Sequence, residues 1–224
     1  LGWAGMLIPE ELGGNAYGYF GLGVVLQSLG RTLAATPLHS TVALSGSALA
    51  LAGEHPAARE LLGRIAAGEA LAALAFEESA VHAPHHCATT ARRTGDGWTL
   101  NGTKRFVLDG HVADVLLVTA RTGGSATDPS GLSLFLLDAL TPGVARRRLH
   151  MVDSRNSADL ELRDVHVPAA ALLGHQGDAA RRPRRRRRGR RDLRRGRARP
   201  ATPTAGGQRD TAREVLIKEL DSNR

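Results

Sequence analysis

The chain has 224 residues, 42% of them apolar, with a formal net charge of +8 and a single cysteine. This length and apolar fraction are sufficient for a globular protein with one large or two small cores. A single cysteine excludes an intramolecular disulfide, and no apolar run is long enough to predict a membrane-spanning helix. We therefore expect a cytoplasmic protein without a membrane partner.

The positive charge is concentrated in the C-terminal part of the chain. Residues 1–180 carry 13 basic and 17 acidic side chains, whereas residues 181–224 carry 17 basic and 5 acidic ones. The first part is therefore mildly acidic, as soluble enzymes often are. The second part predicts affinity for polyanions.

Apolar residues at a helical period predict a partial N-terminal helical domain over residues 1–69. The predicted helices cover residues 17–35, 40–52 and 57–67. Pro37 ends the first of them because proline cannot continue a helix. Pro56 opens the third and Gly68 ends it, which is the usual placement of these two residue types.

After Gly68 the apolar period changes from about 3.6 to about 2, which predicts strands. The predicted strands cover residues 70–76, 89–93, 98–104, 115–120, 132–137, 144–148 and 159–167. Residues 95–97 (Gly-Asp-Gly) suit a tight turn between two strands, and we expect a second turn at Asn101-Gly102. Many short strands with such turns favour an antiparallel β-barrel or sandwich over residues 70–174. The predicted fold class is therefore α+β.

Residues 175–209 form an Arg/Pro/Gly-rich tail that we expect to be disordered. Within it, residues 181–199 hold 13 arginines and almost no apolar side chain, so no core can offset the entropy of ordering them. Residues 210–224 contain one possible short helix, because Thr211 and Glu214 have capping-box spacing. The arginines also suggest an alternative function: sequence-independent binding of nucleic acid or another polyanion through phosphates.

A zinc site is a further alternative. Three histidines, His82, His85 and His86, lie beside Cys87 in the sequence. Their spacing fits no familiar zinc motif. A polar surface loop is the preferred interpretation, and we predict no metal.

Six motifs follow one another along the chain: IPEELGG at 8–14, LGRTL at 29–33, ALAFEES at 73–79, GWTLNGTKRFVLDG at 97–110, ADVLLVTART at 113–122 and LRDVHVPAAALLG at 162–174. In this order they resemble the FAD-dependent acyl-CoA dehydrogenases. The resemblance covers about residues 1–174. It implies FAD as cofactor, an acyl-CoA substrate and a role in fatty acid or lipid metabolism. The implied reaction is α,β-dehydrogenation, in which a carboxylate takes the α proton and the flavin accepts a hydride from the β carbon.

The resemblance also implies four cofactor-binding residues. Matching positions place Phe76 and Glu77 on a strand at the flavin edge, and Phe106 and Leu108 on a segment against the isoalloxazine ring. The family usually has Thr, Trp and a hydroxyl residue at the positions of Glu77, Phe106 and Leu108 respectively. Without the resemblance, Phe106 would be read as a core residue, and Glu77 and Glu78 as solvated charges at a strand end.

In this family the catalytic Glu lies in a C-terminal helical bundle that also completes the FAD site and builds the oligomer. That bundle would begin soon after Gly174, where the arginine-rich tail stands instead. The resemblance therefore implies a fragment with an aberrant C-terminus, without a catalytic residue and inactive alone. We hypothesise a reading-frame shift near Gly177. The alternative is a non-catalytic partner subunit that pairs with a complete homologue as a homo- or hetero-oligomer.

Overall fold

The computed structural model describes residues 2–128 and 130–179. The arginines at 181–199 and the possible helix in 210–224 lie outside the described residues. The disorder predicted for residues 180–209 also lies outside them. For residues 175–179 that prediction is wrong, because the N–H of Gly177 donates to Ser133 Oγ and the N–H of Ala179 donates to the Leu132 carbonyl, both at 2.8 Å. No helix of the described part is long and apolar enough to cross a membrane.

The N-terminal part is helical, as predicted. Two short 3-10 helices, Trp3–Gly5 and Glu10–Leu12, precede α1 (Gly18–Arg31). A π-helical segment, His39–Gly46, then continues into α2 (Ser47–Leu51). The last helix, α3, covers Pro56–Ala67. Helix α1 ends earlier than predicted, because Leu33 adopts a φ of 49° that no α-helix contains. Helix α3 ends at Ala67, and Gly68 caps it with a φ of 77° that favours glycine.

Eight strands follow the helices. They are β1 (Ala72–Ala75), β2 (Thr90–Thr94), β3 (Gly97–Leu108), β4 (Val115–Arg121), β5 (Leu132–Asp138), β6 (Val144–His150), β7 (Asn156–Pro168) and β8 (Leu172–Leu173). Seven of them correspond to predicted strands, and β8 is additional. Helix α3 ends at Ala67 and β1 begins at Ala72, while the domain limits 1–69 and 70–174 stay a prediction.

The strands form one mixed, open sheet, so the predicted antiparallel barrel is wrong. The strand order is β6-β7-β3-β2-β4-β5-β8, and β1 pairs with β4 off this path. Strand β1 runs parallel to β4, with Ala72 opposite Val115, and β2 meets β4 in parallel at one pair. Among residues 2–128 and 130–179 no pairing joins β6 to β8, so the sheet has two ends.

The parallel pair of β1 and β4 lies in a part of the sheet whose two faces are both buried. Ala73 and Leu116 belong to a core built from strand residues, where Trp98 and Phe135 meet edge to face with ring centroids 5.4 Å apart. Leu117 belongs to the other core, on the opposite face of the sheet, which packs against the helices. Parallel pairs typically occur where both faces are covered.

The turn predicted at Asn101-Gly102 is also wrong, because β3 runs through it. Gly102 has a φ of 150°, and the register against β7 shifts between Leu100 and Gly102. A Cβ atom on Gly102 would lie 2.6 Å from the Cα of Thr89. Glycine is therefore required here for a close approach of two backbones within the sheet.

Candidate functional site

The chain between β1 and β2, residues 76–89, lies beside the second half of β3, and we call it the β1–β2 connection. The backbone N–H of Arg105 donates to the carbonyl of Glu77 at 2.8 Å. This bond brings Phe76 and Glu77 close to Phe106, as the sequence interpretation requires of a shared site. Strand β1 ends at Ala75, so Phe76 and Glu77 follow the strand rather than lying on it.

Phe106 and Leu108 lie on β3 on either side of a core residue. Val107 is 2% exposed, whereas Phe106 and Leu108 are half-buried. The guanidinium carbon of Arg105 lies 5.6 Å from the centroid of the Phe106 ring. Phe106 has a φ of 52°, which is rare for a bulky residue and costs about 1–3 kcal/mol.

The side chain of Glu77 is held by the β1–β2 connection itself. His82 Nδ1 lies 2.5 Å from Glu77 Oε1, and the Ala83 N–H donates to Oε2 at 3.2 Å. The His82 ring meets the Phe76 ring edge-on, with centroids 6.3 Å apart. Glu77 is therefore a bonded, partly buried side chain rather than a solvated charge.

Glu78 and Lys104 form a buried ion pair that the sequence interpretation missed. Lys104 Nζ donates to Glu78 Oε1 at 2.7 Å and to Thr119 Oγ1 at 3.0 Å, and the two side chains of the pair are 0% and 7% exposed. The N–H groups of Ala88 and Thr89 also donate to the Glu78 carboxylate. The expectation of a solvated charge at Glu78 is wrong.

The surroundings of Glu78 keep its carboxylate ionised. Burial by itself would raise the pKa of Glu78, but the Lys104 ammonium and the hydrogen bonds from Lys104, Thr89 and Ala88 outweigh it and lower the pKa to about 2. One sequence signal points to this pair: Lys104 continues the phase of Trp98 and Leu100, which are buried on β3.

Cys87 is a buried part of the same cluster. Its side chain is 1% exposed, and its Sγ lies 3.6 Å from Lys104 Nζ. Burial raises the pKa of the Cys87 thiol, although Lys104 acts in the opposite direction. No group of three His, Cys, Asp or Glu side chains in the described part of the chain could hold a metal ion. The polar surface loop expected around Cys87 is exposed at His85 and His86, but not at the thiol.

Arg121, at the end of β4, is a second buried cation that the sequence interpretation missed. Its guanidinium donates to five backbone carbonyls, those of His85, Cys87, Ala126, Asp128 and Ser130. These bonds tie the β1–β2 connection to the loop between β4 and β5. A charged donor satisfied by carbonyls alone has a structural role in this arrangement.

Two family models match the chain. The model described as acyl-CoA dehydrogenase, N-terminal domain, matches residues 1–69, and that of the acyl-CoA dehydrogenase, middle domain, matches residues 74–165. The matched segments correspond to the helical part and to most of the sheet.

Curated relatives and solved structures agree with these models. The chain is 35% identical over 187 residues to cyclohex-1-ene-1-carbonyl-CoA dehydrogenase of Geobacter metallireducens, a match that covers 79% of this chain and 48% of the relative. Butyryl-CoA dehydrogenase from Megasphaera elsdenii superposes with a TM-score of 0.70 at 26% identity, over 79% of this chain and 49% of that one. A glutaryl-CoA dehydrogenase from Mycobacterium smegmatis in complex with FADH2 has a TM-score of 0.54 at 31% identity, over 62% and 37% respectively. The chain spans about half the length of the curated relatives it matches.

Proposed function

Because this chain belongs to the acyl-CoA dehydrogenase family, we propose that it is part of a flavoprotein that oxidises an acyl-CoA thioester between its α and β carbons. In this proposal Phe76, Glu77, Phe106 and Leu108 lie against FAD. The observation that carries it is the position of the β1–β2 connection beside the second half of β3, joined by the bond from the Arg105 N–H to the Glu77 carbonyl. The relative solved with FADH2 supports FAD as the cofactor.

The side chains present are chemically suited to contact a planar ring. Phe76, Phe106 and Leu108 are apolar and only half-buried, so each retains surface that a bound ring would cover. When bound, FAD supplies the acceptor for the hydride that leaves the β carbon. The Glu77 carboxylate accepts a hydrogen bond from the Ala83 N–H and lies within ion-pair distance of His82, so we assign its contact with the cofactor to its backbone.

We further propose that the chain alone does not turn over a thioester. The reaction needs a carboxylate free to take the α proton. Four described carboxylates lie beside the proposed cofactor residues, and each has a partner. Glu77 is engaged by Ala83 and His82, Glu78 by Lys104, Asp109 by Ser40, and Asp159 by Arg105 and Arg147. The family's base therefore has to come from another part of a complete enzyme. Adding acyl-CoA to the FAD-loaded chain should leave the flavin absorbance unbleached.

The Phe106→Ala variant tests the cofactor contact. We expect it to bind FAD about tenfold more weakly than the unaltered chain, because an aromatic contact of this kind contributes about 1.4 kcal/mol. The measurement is titration of FAD, followed by the change in flavin fluorescence. Phe20→Ala is the matched control, since Phe20 is an 87% exposed aromatic on α1. Equal affinities for both variants, or no FAD binding by the unaltered chain, would contradict the assignment.

A partner subunit is the second candidate function. Tyr17, Phe20 and Val24 are 70%, 87% and 54% exposed. Phe20 and Val24 are four residues apart on α1, and Tyr17 immediately precedes the helix, three residues before Phe20. Such an exposed apolar stripe is typical of a surface that another chain covers. Pairing with a complete dehydrogenase would supply a base, which none of the described carboxylates beside the proposed cofactor residues is free to be. The polyanion alternative depends on residues 181–199, which lie outside the described part, and the relatives give it no support.

Phe20→Glu tests this surface. We expect the unaltered chain to form dimers or hetero-oligomers with a co-expressed full-length acyl-CoA dehydrogenase, and the variant to lose at least tenfold in association affinity. The measurement is light scattering coupled to size-exclusion chromatography across a concentration series. Val152→Glu is the control, since Val152 is fully exposed in the turn after β6. A chain that stays monomeric both alone and beside the full-length enzyme would eliminate this candidate.

A further inference from the structure

The half of β3 that carries Phe106 is held in an irregular shape. Lys104 pairs with Leu160 and Val107 pairs with Ala158, so three residue steps on β3 oppose two on β7. The extra residue forms a β-bulge, and Phe106 adopts a left-handed φ of 52° within it. A bulky residue keeps this conformation only where its surroundings impose it.

Asp159 lies on β7 directly opposite the bulge, between the two paired residues. Its Oδ1 accepts a hydrogen bond from the Phe106 N–H at 3.3 Å and lies 3.0 Å from Arg105 Nε. The bulge removes the Phe106 N–H from the regular pairing of β3 with β7. The carboxylate therefore replaces the lost backbone partner and satisfies a donor that would otherwise have none in the sheet.

A third strand fixes the orientation of the same carboxylate. Arg147 on β6 donates to Asp159 Oδ2 at 2.5 Å, so the two oxygens are held from β3 and β6 while the side chain is anchored on β7. Arg105, bound to Oδ1, also lies over the Phe106 ring. One buried carboxylate thus contacts the backbone of Phe106 directly and its ring through a neighbour.

We propose that Asp159 is a positioning residue, which sets the backbone conformation of Phe106 and thereby presents its ring to the flavin. This inference rests on the proposed function, because it assumes that Phe106 faces FAD. Asp159 itself does not touch the cofactor in this account. Its effect on FAD passes through the bulge and through Arg105.

The test compares Asp159→Asn with Asp164→Asn in the full chain. Asp164 is the matched control, since it is an exposed carboxylate on the same strand. It lies beside the other register shift of the β3–β7 pair, and its Oδ1 accepts a hydrogen bond from Asn101 at 3.0 Å. Two quantities are measured: hydrogen exchange of the amides at 104–108 without FAD, and the Kd for FAD. For Asp159→Asn we expect exchange at 104–108 to accelerate at least tenfold and the Kd to rise about tenfold, because the charge that holds both arginines is lost. Asp164→Asn should change neither.

Arg147→Gln is the second variant, because Arg147 is 70% exposed and its removal leaves the core of the sheet intact. It should give smaller changes in the same direction, about threefold in each quantity. If the unaltered chain binds FAD and Asp159→Asn binds it equally well, the positioning role is overturned while the proposed function stands. Acceleration of exchange throughout the sheet instead of at 104–108 would also overturn it, since Asp159 would then be a general stabilising residue. If the unaltered chain binds no FAD, the proposed function fails and this inference fails with it.

Discussion

Replacing Lys104 with Met should lower the free energy of unfolding by about 3–5 kcal/mol. The substitution keeps an unbranched side chain of similar length but removes the ammonium that lies 2.7 Å from Glu78 Oε1. Glu78 would then be an ionised carboxylate with 7% exposure and no counter-charge at this distance. Its remaining hydrogen bonds, from Ala88 and Thr89, do not replace a full charge.

The double variant Lys104→Met with Glu78→Gln is the control for this prediction. It removes both charges together, so we expect it to recover most of the lost stability, as neutral replacements of buried ion pairs often do. Urea unfolding followed by circular dichroism measures all forms under the same conditions. A single Lys104→Met variant as stable as the unaltered chain would show that the pair is not buried as described here.

Acidification should remove about 3 kcal/mol of stability through Glu78 alone. Folding lowers the pKa of Glu78 to about 2 from its ordinary value of about 4.5. As the pH falls below the unfolded-state value, the unfolded chain takes up a proton that the folded chain does not bind. The stabilising contribution is therefore complete above about pH 5 and is lost progressively as the pH falls toward 2, with about 2 kcal/mol gone by pH 3.

The measurement is a series of urea unfolding curves between pH 6 and pH 3. Other carboxylates titrate in the same range, so the informative quantity is the difference between the unaltered chain and the double variant with neutral residues at 78 and 104. We expect this difference in unfolding free energy to shrink by about 2 kcal/mol across the series. Parallel curves for the two proteins would mean that the pKa of Glu78 is not depressed by folding.

Part of the candidate site could be read from the sequence. The matching motifs selected Phe76, Glu77, Phe106 and Leu108, and the structure brings the first three close together, while their contact with FAD stays a proposal. The bonds of the Glu77 side chain could not be read in this way, because His82 was interpreted as part of a polar surface loop. Its position depends on how the β1–β2 connection folds back on itself.

The buried charges were the larger omission. Lys104, Glu78 and Arg121 are ordinary surface residue types, and composition alone assigns such residues to solvent. Each becomes a buried group only because its partners come from distant parts of the chain: Thr119 for Lys104, and the carbonyls of two loops for Arg121. Strand alternation placed Lys104 in phase with buried neighbours, and this was the only local signal.

The sequence by itself determined which segments are helices and which are strands, the change from one to the other after Gly68, and the family. Periodicity carries this information because it records which side chains of one segment share a face. Only the tertiary structure decided that β1 lies parallel to β4, that the sheet stays open, and that β3 bulges at Phe106. Pairing and register depend on backbone bonds and packing between segments far apart in the chain, and a local pattern does not contain those contacts.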